Sequence, residues 1–346
     1  MKKLLLLFLF PVTLAAQGGM WLPIYLEKLN EDEMDKLGCK LEADDIYNAN
    51  KSSLKDAICQ FDGGCTGEII SPKGLLLTNH HCGFDAIQQL STLEKNYVDN
   101  GFWAKTMAEE LPAPGVTAMF VSRMEDVTAL ALKDVSDNMG ERDRQAQIDK
   151  NLAQIRVNTK KEAHEEILIR PFYAGNQYFM FVTVTFRDLR LVGTPPSSIG
   201  KFGADTDNWV WPRHTGDFSI FRVYAGKDNK PADYSPDNQP FVPKHFLPIS
   251  LDGVAEGDFT MVFGFPGQTQ EYLPAVAVQQ TGEVLDPARV AVRDRALKIM
   301  DGFMRRDPDV KIAYIARQAS IANAWKKWQG EMLGLKTYKA LDKKRA

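Results

Sequence analysis

The chain changes its hydrophobic pattern at about residue 275. Before that point, short apolar runs rich in Val, Phe and Thr are separated by Gly and Pro, which is typical of strands joined by tight turns. The strands predicted from these runs beyond the middle of the chain cover 178–186, 218–224 and 260–263. A mainly β unit with a smaller helical contribution is therefore expected up to about residue 275.

Helical periodicity is found in two places. Apolar residues recur at helical spacing within 140–156, inside a charged segment, 104–166, that we interpret as a partly helical insertion. Near the end of the chain, Asp286 and Asp307 are each followed by proline, a pattern in which the carboxylate caps a helix and proline takes its first position. Two amphipathic helices are therefore predicted to fill most of 276–346.

The stretch 65–82 predicts a β-hairpin. Its turn, 71–74, has proline at the second position and glycine at the fourth, between two apolar arms. The arms cover 65–70 and 75–82, so their outer ends meet on the same open side of the hairpin. Because Cys65 and Cys82 stand at those ends, a disulfide between them is the preferred pairing.

Length and charge limit the classes of function. A chain of 346 residues has room for about two domains of ordinary size. Its 42 Lys and Arg against 45 Asp and Glu give a net charge of −3, so no overall positive field would attract nucleic acid or anionic lipid. After the first residues, no stretch approaches the roughly 18 apolar residues of a membrane span.

The first sixteen residues have the layout of a secretory signal peptide. Lys2 and Lys3 precede a nearly unbroken apolar run over 4–14, and small residues at 15–16 offer a cleavage site. A buried N-terminal helix is the alternative interpretation. The signal-peptide interpretation predicts that the mature protein is exported and soluble, in a compartment that permits disulfides.

All four cysteines lie in the first quarter of the chain, and besides Cys65 and Cys82 they are Cys39 and Cys59. An even number in an exported protein predicts one or two disulfides, but nothing places Cys39 within reach of Cys59. Zinc bound by His80, His81 and the thiols is the competing hypothesis, although the usual ligand spacings of a zinc site do not occur.

His80 and His81 are adjacent at the end of a predicted strand, where neighbouring side chains point to opposite faces. One of them is therefore expected to act and the other to support it. His81 precedes a cysteine that is expected to be bridged to the neighbouring strand. A backbone held from two sides suits a general base, which must stay within hydrogen-bond reach of the proton it takes.

Two motifs carry a resemblance to a known family. An apolar strand ending in Thr, followed by His81 and Cys82, resembles the histidine site of trypsin-like serine proteases. Together with the long motif over 195–222, it resembles the bacterial dipeptidyl-peptidase 7 and 11 family, which are exported serine exopeptidases. The resemblance runs from about Gly19 to the end of the chain, and the two motifs are too long to arise by chance.

The resemblance implies roles for five residues. His81 becomes the general base and Asp217 the carboxylate that orients it, as catalysis by a histidine requires. Asn208 and Trp209, with Asn323 in the helical part, match the group that holds the free α-amino group of the substrate. By residue type alone, Asp205 and Asp207 compete with Asp217 for the orienting role.

The serine nucleophile that this chemistry needs has no candidate in the expected Gly-x-Ser-Gly setting. Ser197 and Ser198 come nearest, but they lack the preceding glycine and lie before Asp217, whereas the family places its serine far downstream. We therefore expect the 346-residue chain to be the N-terminal portion of a longer enzyme and to be inactive on its own.

The implied fold is mainly β with α, in which 17–275 form the first, N-terminal barrel of a trypsin-like (chymotrypsin-type) double barrel. Residues 276–346 would begin a helical cap domain that closes the cleft. The expected activity is release of dipeptides from the free N-terminus of peptides, without a cofactor or metal. The alternative is a non-catalytic peptide-binding protein that lacks the nucleophile.

The resemblance also implies a location and partners. It predicts export to the periplasm or cell envelope of a Gram-negative bacterium, peptide substrates with a free N-terminus, and a homodimer. The preference for acidic or for hydrophobic substrate side chains is left open, because in this family the residue that selects between them lies near the serine.

Overall fold

The computed structural model describes residues 20–203, 209, 212–268, 270 and 272–346. The predicted signal peptide and the candidate Asn208 lie outside the described residues, as do the competing carboxylates Asp205 and Asp207. Among the helices that are described, none combines the length and the apolar character needed to cross a bilayer.

The described part of the chain folds around one large antiparallel sheet. Its strands are β1 (Ile58–Phe61), β2 (Cys65–Ile69), β3 (Leu75–Thr78), β4 (Phe102–Trp103), β5 (Leu111–Pro112), β6 (Ala118–Asp126), β7 (Glu165–Phe172), β8 (Gln177–Phe186), β9 (Asp188–Thr194), β10 (Ser219–Ala225) and β11 (Gln239–Pro240). Their order is β4-β9-β10-β3-β2-β1-β6-β8-β7, with β11 beside β10 and β5 beside β9.

Helices surround the sheet and fill the end of the chain. They are α1 (Leu26–Leu29), α2 (Glu31–Lys36), α3 (Ala43–Ile46), α4 (His80–Gln89), α5 (Tyr97–Asn100), α6 (Thr128–Ala131), α7 (Glu141–Asn158), α8 (Ser197–Gly200), α9 (Ala275–Gln280), α10 (Asp286–Met304), α11 (Pro308–Thr337) and α12 (Ala340–Arg345). The result is a mixed α/β fold whose last quarter is helical.

The predicted hairpin is confirmed, because β2 and β3 pair antiparallel around the Pro-Gly turn. Gly74 takes a φ of 65°, and a side chain there would also meet the carbonyl oxygens of Val223 and Phe241. Only glycine satisfies both conditions without strain. On its other edge β3 pairs with β10, so that Thr78 lies opposite Ser219.

Two further strand predictions are confirmed and one is wrong. The runs at 178–186 and 218–224 correspond to β8 and β10, each within one residue. The run 260–263 forms no strand. Phe263 instead packs on a small cluster of buried apolar residues near the N-terminus, among them Leu26, Met34 and Ile46. Just beyond the run, Phe265 donates its backbone N–H to Oγ1 of Thr66 at 2.9 Å.

The helix predicted over 140–156 is confirmed as α7, whose Ile148 and Ile155 are buried against β7 and β8. The surrounding segment, 104–166, is less separate than expected. It also contributes β6, which pairs with both β1 and β8 inside the main sheet. Helix α7 is therefore an excursion between two strands of the sheet.

The capping prediction holds for one of the two aspartates. Asp307 caps α11, because its Oδ1 accepts the backbone N–H groups of Asp309 and Val310 at 2.9 and 3.2 Å. Asp286 has helical backbone angles, and its Oδ1 accepts from the side chain of Arg289 and not from a backbone N–H group. The helix arrives there from α9 through a π-helical turn at Thr281–Leu285, and this wider turn accommodates a proline that cannot donate to the preceding turn.

The central core joins the hairpin, β10 and helix α4, and it includes Ala316 of α11. Gln88 of α4 fixes the crossing of α11, since its Oε1 accepts the backbone N–H of Ala316 at 2.8 Å. An ion pair of 2.8 Å between Lys311 and Asp99 joins α11 to α5 as well. Helix α11 is thereby docked over the helix that carries both adjacent histidines.

Candidate active site

A disulfide fixes one wall of the candidate site. Cys65 at the start of β2 and Cys82 in the first turn of α4 are bridged, with their Cα atoms 6.1 Å apart. While this bridge is intact, neither sulfur can bind zinc as a thiolate, which argues against the zinc hypothesis. Cys39 and Cys59 are buried free thiols, so no second bridge forms between them.

The two adjacent histidines lie in a helix, contrary to the strand geometry expected from the sequence. Strand β3 ends at Thr78, and α4 begins at His80 with Asn79 as its N-cap residue. Successive side chains of a helix diverge by about 100°, and this is enough to send the two rings to different environments. The side chain of His81 is 50% exposed, whereas His80 is only 1% exposed.

His80 is a buried neutral imidazole. Burial lowers its pKa to about 4, and neither ring nitrogen has a hydrogen-bond partner. Its ring lies 5.3 Å from that of Phe84 and directly against Gly200, where an added Cβ would clash with it. His80 therefore packs α4 against α8, which agrees with the supporting role expected for one of the two histidines.

The structure brings His81 and Asp217 together, although 136 positions separate them in the chain. Nδ1 of His81 lies 2.7 Å from Oδ2 of Asp217, and Oδ1 accepts the backbone N–H of His81 at 3.0 Å. A carboxylate on Nδ1 fixes the imidazole tautomer that leaves Nε2 as the proton acceptor. The geometry is that of a histidine prepared to act as a general base.

Two residues that the sequence analysis did not identify also bind this carboxylate. Arg213 donates from Nη2 to Oδ2 of Asp217 at 2.8 Å, and Asn79 donates from Nδ2 to the same oxygen at 3.2 Å. Burial alone would raise the pKa of Asp217, but the hydrogen bonds and charge of His81, together with the charge of Arg213, hold it below its ordinary value. Asp217 therefore stays ionised.

A cavity of about 450 Å³ opens beside this pair. The bridged cysteines and both histidines line one side, and α11 lines another with Ala316, Ala319, Ser320 and Asn323. The cavity is large enough for a few residues of a peptide. Its position next to His81 makes it the candidate substrate cleft.

Two of the three predicted amine-binding residues meet at this cleft. Trp209 donates from Nε1 to Oδ1 of Asn323 at 2.7 Å, across 114 positions of sequence. Trp209 is 46% exposed, so part of it remains accessible beside Asn323. An amide and an aromatic ring can hold an ammonium group without a formal negative charge.

Two carboxylates in the cavity wall, Asp62 and Asp85, were missed by the sequence analysis. Burial, and then the charge of Asp85, raise the pKa of Asp62. Asp62 opens the turn between β1 and β2, and Asp85 follows His81 by one helical turn. The spacing of four between His81 and Asp85 could have indicated Asp85, because residues four apart share a helix face.

Among the residues that the structure describes, no serine is hydrogen-bonded to the imidazole of His81 as a nucleophile would be. Ser197, which the sequence analysis considered, donates its hydroxyl to the carbonyl oxygen of Val98 at 2.7 Å. Ser320 lines the cavity on α11, but no hydrogen bond joins a described serine to the imidazole. The described part of the site is the His81–Asp217 pair and the cleft beside it.

Comparisons with known proteins give a consistent result. Residues 16–346 match the family model described as Peptidase S46. The chain is 56% identical over 341 residues to the Asp/Glu-specific dipeptidyl-peptidase of Flavobacterium psychrophilum, covering 99% of this chain and 48% of that protein. It is 45% identical over 338 residues to dipeptidyl-peptidase 7 of Capnocytophaga gingivalis, covering 98% of this chain and 47% of that protein.

A solved structure matches as well. The crystal structure of Porphyromonas endodontalis DPP11 in complex with the dipeptide Arg-Glu superposes with a TM-score of 0.86 at 42% identity, covering 94% of this chain and 48% of that chain. The mixed α/β fold with its large antiparallel sheet is therefore shared with that protein. The chain spans about half the length of the curated relatives it matches.

Proposed function

The chain belongs to the peptidase S46 family, and on that basis we propose that it is the N-terminal part of a serine-type dipeptidyl-peptidase. The whole enzyme would release dipeptides from the free N-terminus of peptides. The observation that carries the proposal is the 2.7 Å contact between Nδ1 of His81 and Oδ2 of Asp217 beside an open cleft. No cofactor or metal takes part in this reaction.

His81 acts as the general base and then as the general acid. Its Nε2 takes the hydroxyl proton of a serine as that oxygen attacks the carbonyl carbon of the second residue. The same proton passes to the leaving amine when the peptide bond breaks, which leaves an acyl-enzyme ester. Water then repeats the sequence and releases the dipeptide, while Asp217 stabilises the imidazolium in both halves.

The nucleophilic serine is proposed to come from a part of the protein outside these 346 residues. Support comes from the described serines, none of which is hydrogen-bonded to His81, and from the greater length of the relatives. The large sheet would then be the first barrel of a trypsin-like double barrel, and the helices after Ala275 would begin a cap over the cleft.

Trp209 and Asn323, together with Asn208, are proposed to bind the α-ammonium group of the substrate. Their hydrogen bond at the edge of the cleft supports this role. A fixed amine site at a fixed distance from His81 would set the cut two residues from the N-terminus. This is how a general acyl-transfer site becomes an exopeptidase.

Export to the periplasm or cell envelope is proposed from the layout of the first sixteen residues and from the disulfide, which is a feature of oxidising compartments. The partners proposed are peptides with a free N-terminus and a second copy of the same protein.

Replacing His81 or Asp217 by alanine in the full-length protein tests the function. We expect turnover of a dipeptidyl coumarin reporter to fall by about four orders of magnitude, because each change removes the base or its orientation. His164→Ala is the matched control, since His164 lies just before β7 and outside the cleft. Near-normal turnover in the His81 or Asp217 variant would exclude the proposed roles.

A non-catalytic peptide-binding protein is the second candidate. The observation in its favour is that Trp209 and Asn323 are joined at the cleft while no described serine contacts His81. Calorimetry with a tripeptide separates the two candidates. Binding that requires a free N-terminus, without hydrolysis by the wild-type full-length protein, would support the binder.

A further inference from the structure

Arg213 differs in kind from the other groups that bind the Asp217 carboxylate. Nδ1 of His81 and Nδ2 of Asn79 also reach Oδ2, but of the three groups only Arg213 brings a permanent charge to this oxygen, at 2.8 Å. Its guanidinium is also partly exposed and lines the cleft. A third charged group is therefore built into the His81–Asp217 pair.

We propose that Arg213 is a positioning residue of this pair, which fixes the Asp217 carboxylate against Nδ1 of His81 and keeps it ionised. The side chain of Asp217 is only 7% exposed, and burial of an acid favours its protonated form. A protonated Asp217 would lose the charge that orients and stabilises the imidazolium. The guanidinium opposes that protonation directly, since a nearby cation favours the carboxylate.

Arg213 also acts on the charge that His81 acquires during the reaction. When the imidazole takes a proton, two cations share the single oxygen Oδ2 and repel each other. The imidazolium is then stabilised less than it would be by an unshared carboxylate. Arg213 therefore holds Asp217 ionised, and in return it weakens the stabilisation that this carboxylate gives to the imidazolium.

The remaining charged and titratable groups around the pair lie on the neighbouring elements. His80 on α4 is uncharged above about pH 4, where burial has placed its pKa. Lys201, directly after α8, is a second cation of the cleft, and Asp62 and Asp85 add negative charge to the cavity wall. His214 adjoins Arg213 in the chain. Lys201 serves as the control cation of the cleft, because its Nζ lies over the ring of Phe84, 5.5 Å from the ring centroid.

Two measurements test the positioning role of Arg213. Only the second, which is kinetic, rests on the proposed peptidase function. The first is a carbon-13 NMR titration of the Asp217 carboxyl in the full-length protein, with the signal identified by its loss in Asp217→Asn. Arg213→Met should raise the pKa of Asp217 by about one unit. Arg213→Lys should preserve most of the wild-type value, and Lys201→Met should give a smaller shift than Arg213→Met.

The second measurement is the pH dependence of kcat/KM with a dipeptidyl reporter. In Arg213→Met the acidic limb of the pH profile should move to higher pH by about one unit, because removal of a cation favours the protonated base. In Arg213→Lys, which keeps the positive charge, the acidic limb should lie close to its wild-type position. A fall in activity without movement of the limb, or an unchanged titration of Asp217 in Arg213→Met, overturns the proposal. If the wild-type protein hydrolyses no reporter, the peptidase function fails and the NMR titration alone decides the role of Arg213.

Discussion

Glu68 carries a half-buried carboxyl group near the end of strand β2, and burial raises its pKa to about 7. The folded state therefore binds this proton more tightly than the unfolded chain, in which a glutamate titrates near 4.5. The stability that depends on protonated Glu68 is complete below about pH 4.5 and is lost as the pH rises through about 7.

Glu68→Gln removes this dependence, so the variant should gain stability relative to wild type as the pH increases from 5 to 8. Urea unfolding of both proteins at the two pH values measures the effect. An equal difference at pH 5 and pH 8 would show that the carboxyl group does not titrate in this window.

At the scale of single residues, the hairpin pattern indicated His81, whereas Asp217, Trp209 and Asn323 were indicated only by the family resemblance. Residue type could not reveal Arg213, because its importance depends on which oxygen it reaches in space. The burial of His80 was equally hidden. It follows from Gly200, which lies on another element and leaves just enough room for the ring.

At the scale of elements, the cap of α11 gives a direct test. Asp307→Ala removes a side chain that accepts two backbone N–H groups of the first turn, and should cost about 1 kcal/mol of stability. The matched control is Asp307→Ser, which can still accept such a bond and should lose much less. Chemical denaturation measures both. A loss of the same size in the two variants would mean that the carboxylate acts otherwise than as a cap.

Local chemistry determined which elements were predicted correctly. The hairpin follows from its Pro-Gly turn and α7 from its periodicity, because both patterns are complete within a few residues. Thr260 to Phe263 has the composition of a strand, yet a strand needs a partner, and none of the described strands pairs with it. At Asp286 the aspartate and proline match a helix start, but a π-helical turn lets the helix pass through.

At the scale of the whole molecule, the disulfide adds a covalent cross-link between β2 and α4 to the backbone that joins them through β3. It joins positions 17 apart, and closing a loop of that size is worth about 3 kcal/mol. The double variant Cys65→Ser with Cys82→Ser should therefore unfold at lower urea concentration. Dithiothreitol should lower the wild-type midpoint to that of the variant and leave the variant unchanged. A wild-type midpoint insensitive to the reductant would contradict this account.

The sheet order could not be predicted, because its key pairing joins β3 to β10 across more than a hundred residues. The sequence pattern indicates which segments form strands, but it does not show which strands pair when a long connection separates them in the chain. The change at about residue 275 was visible because it is a change of periodicity. The contact of α11 with α4 was not visible, since it depends on Gln88 reaching the backbone of Ala316.

The pairing of Thr78 with Ser219 has a kinetic consequence. His81 stands three positions after one of these residues and Asp217 two before the other, so a slip of one residue in this ladder would shift the two by about 3.3 Å and separate them. Contacts of such long range close slowly and late, after local hairpins and helices have formed. In a partly folded chain the side chains of His81 and Asp217 are therefore still apart, and the site assembles only when the β3–β10 ladder has formed.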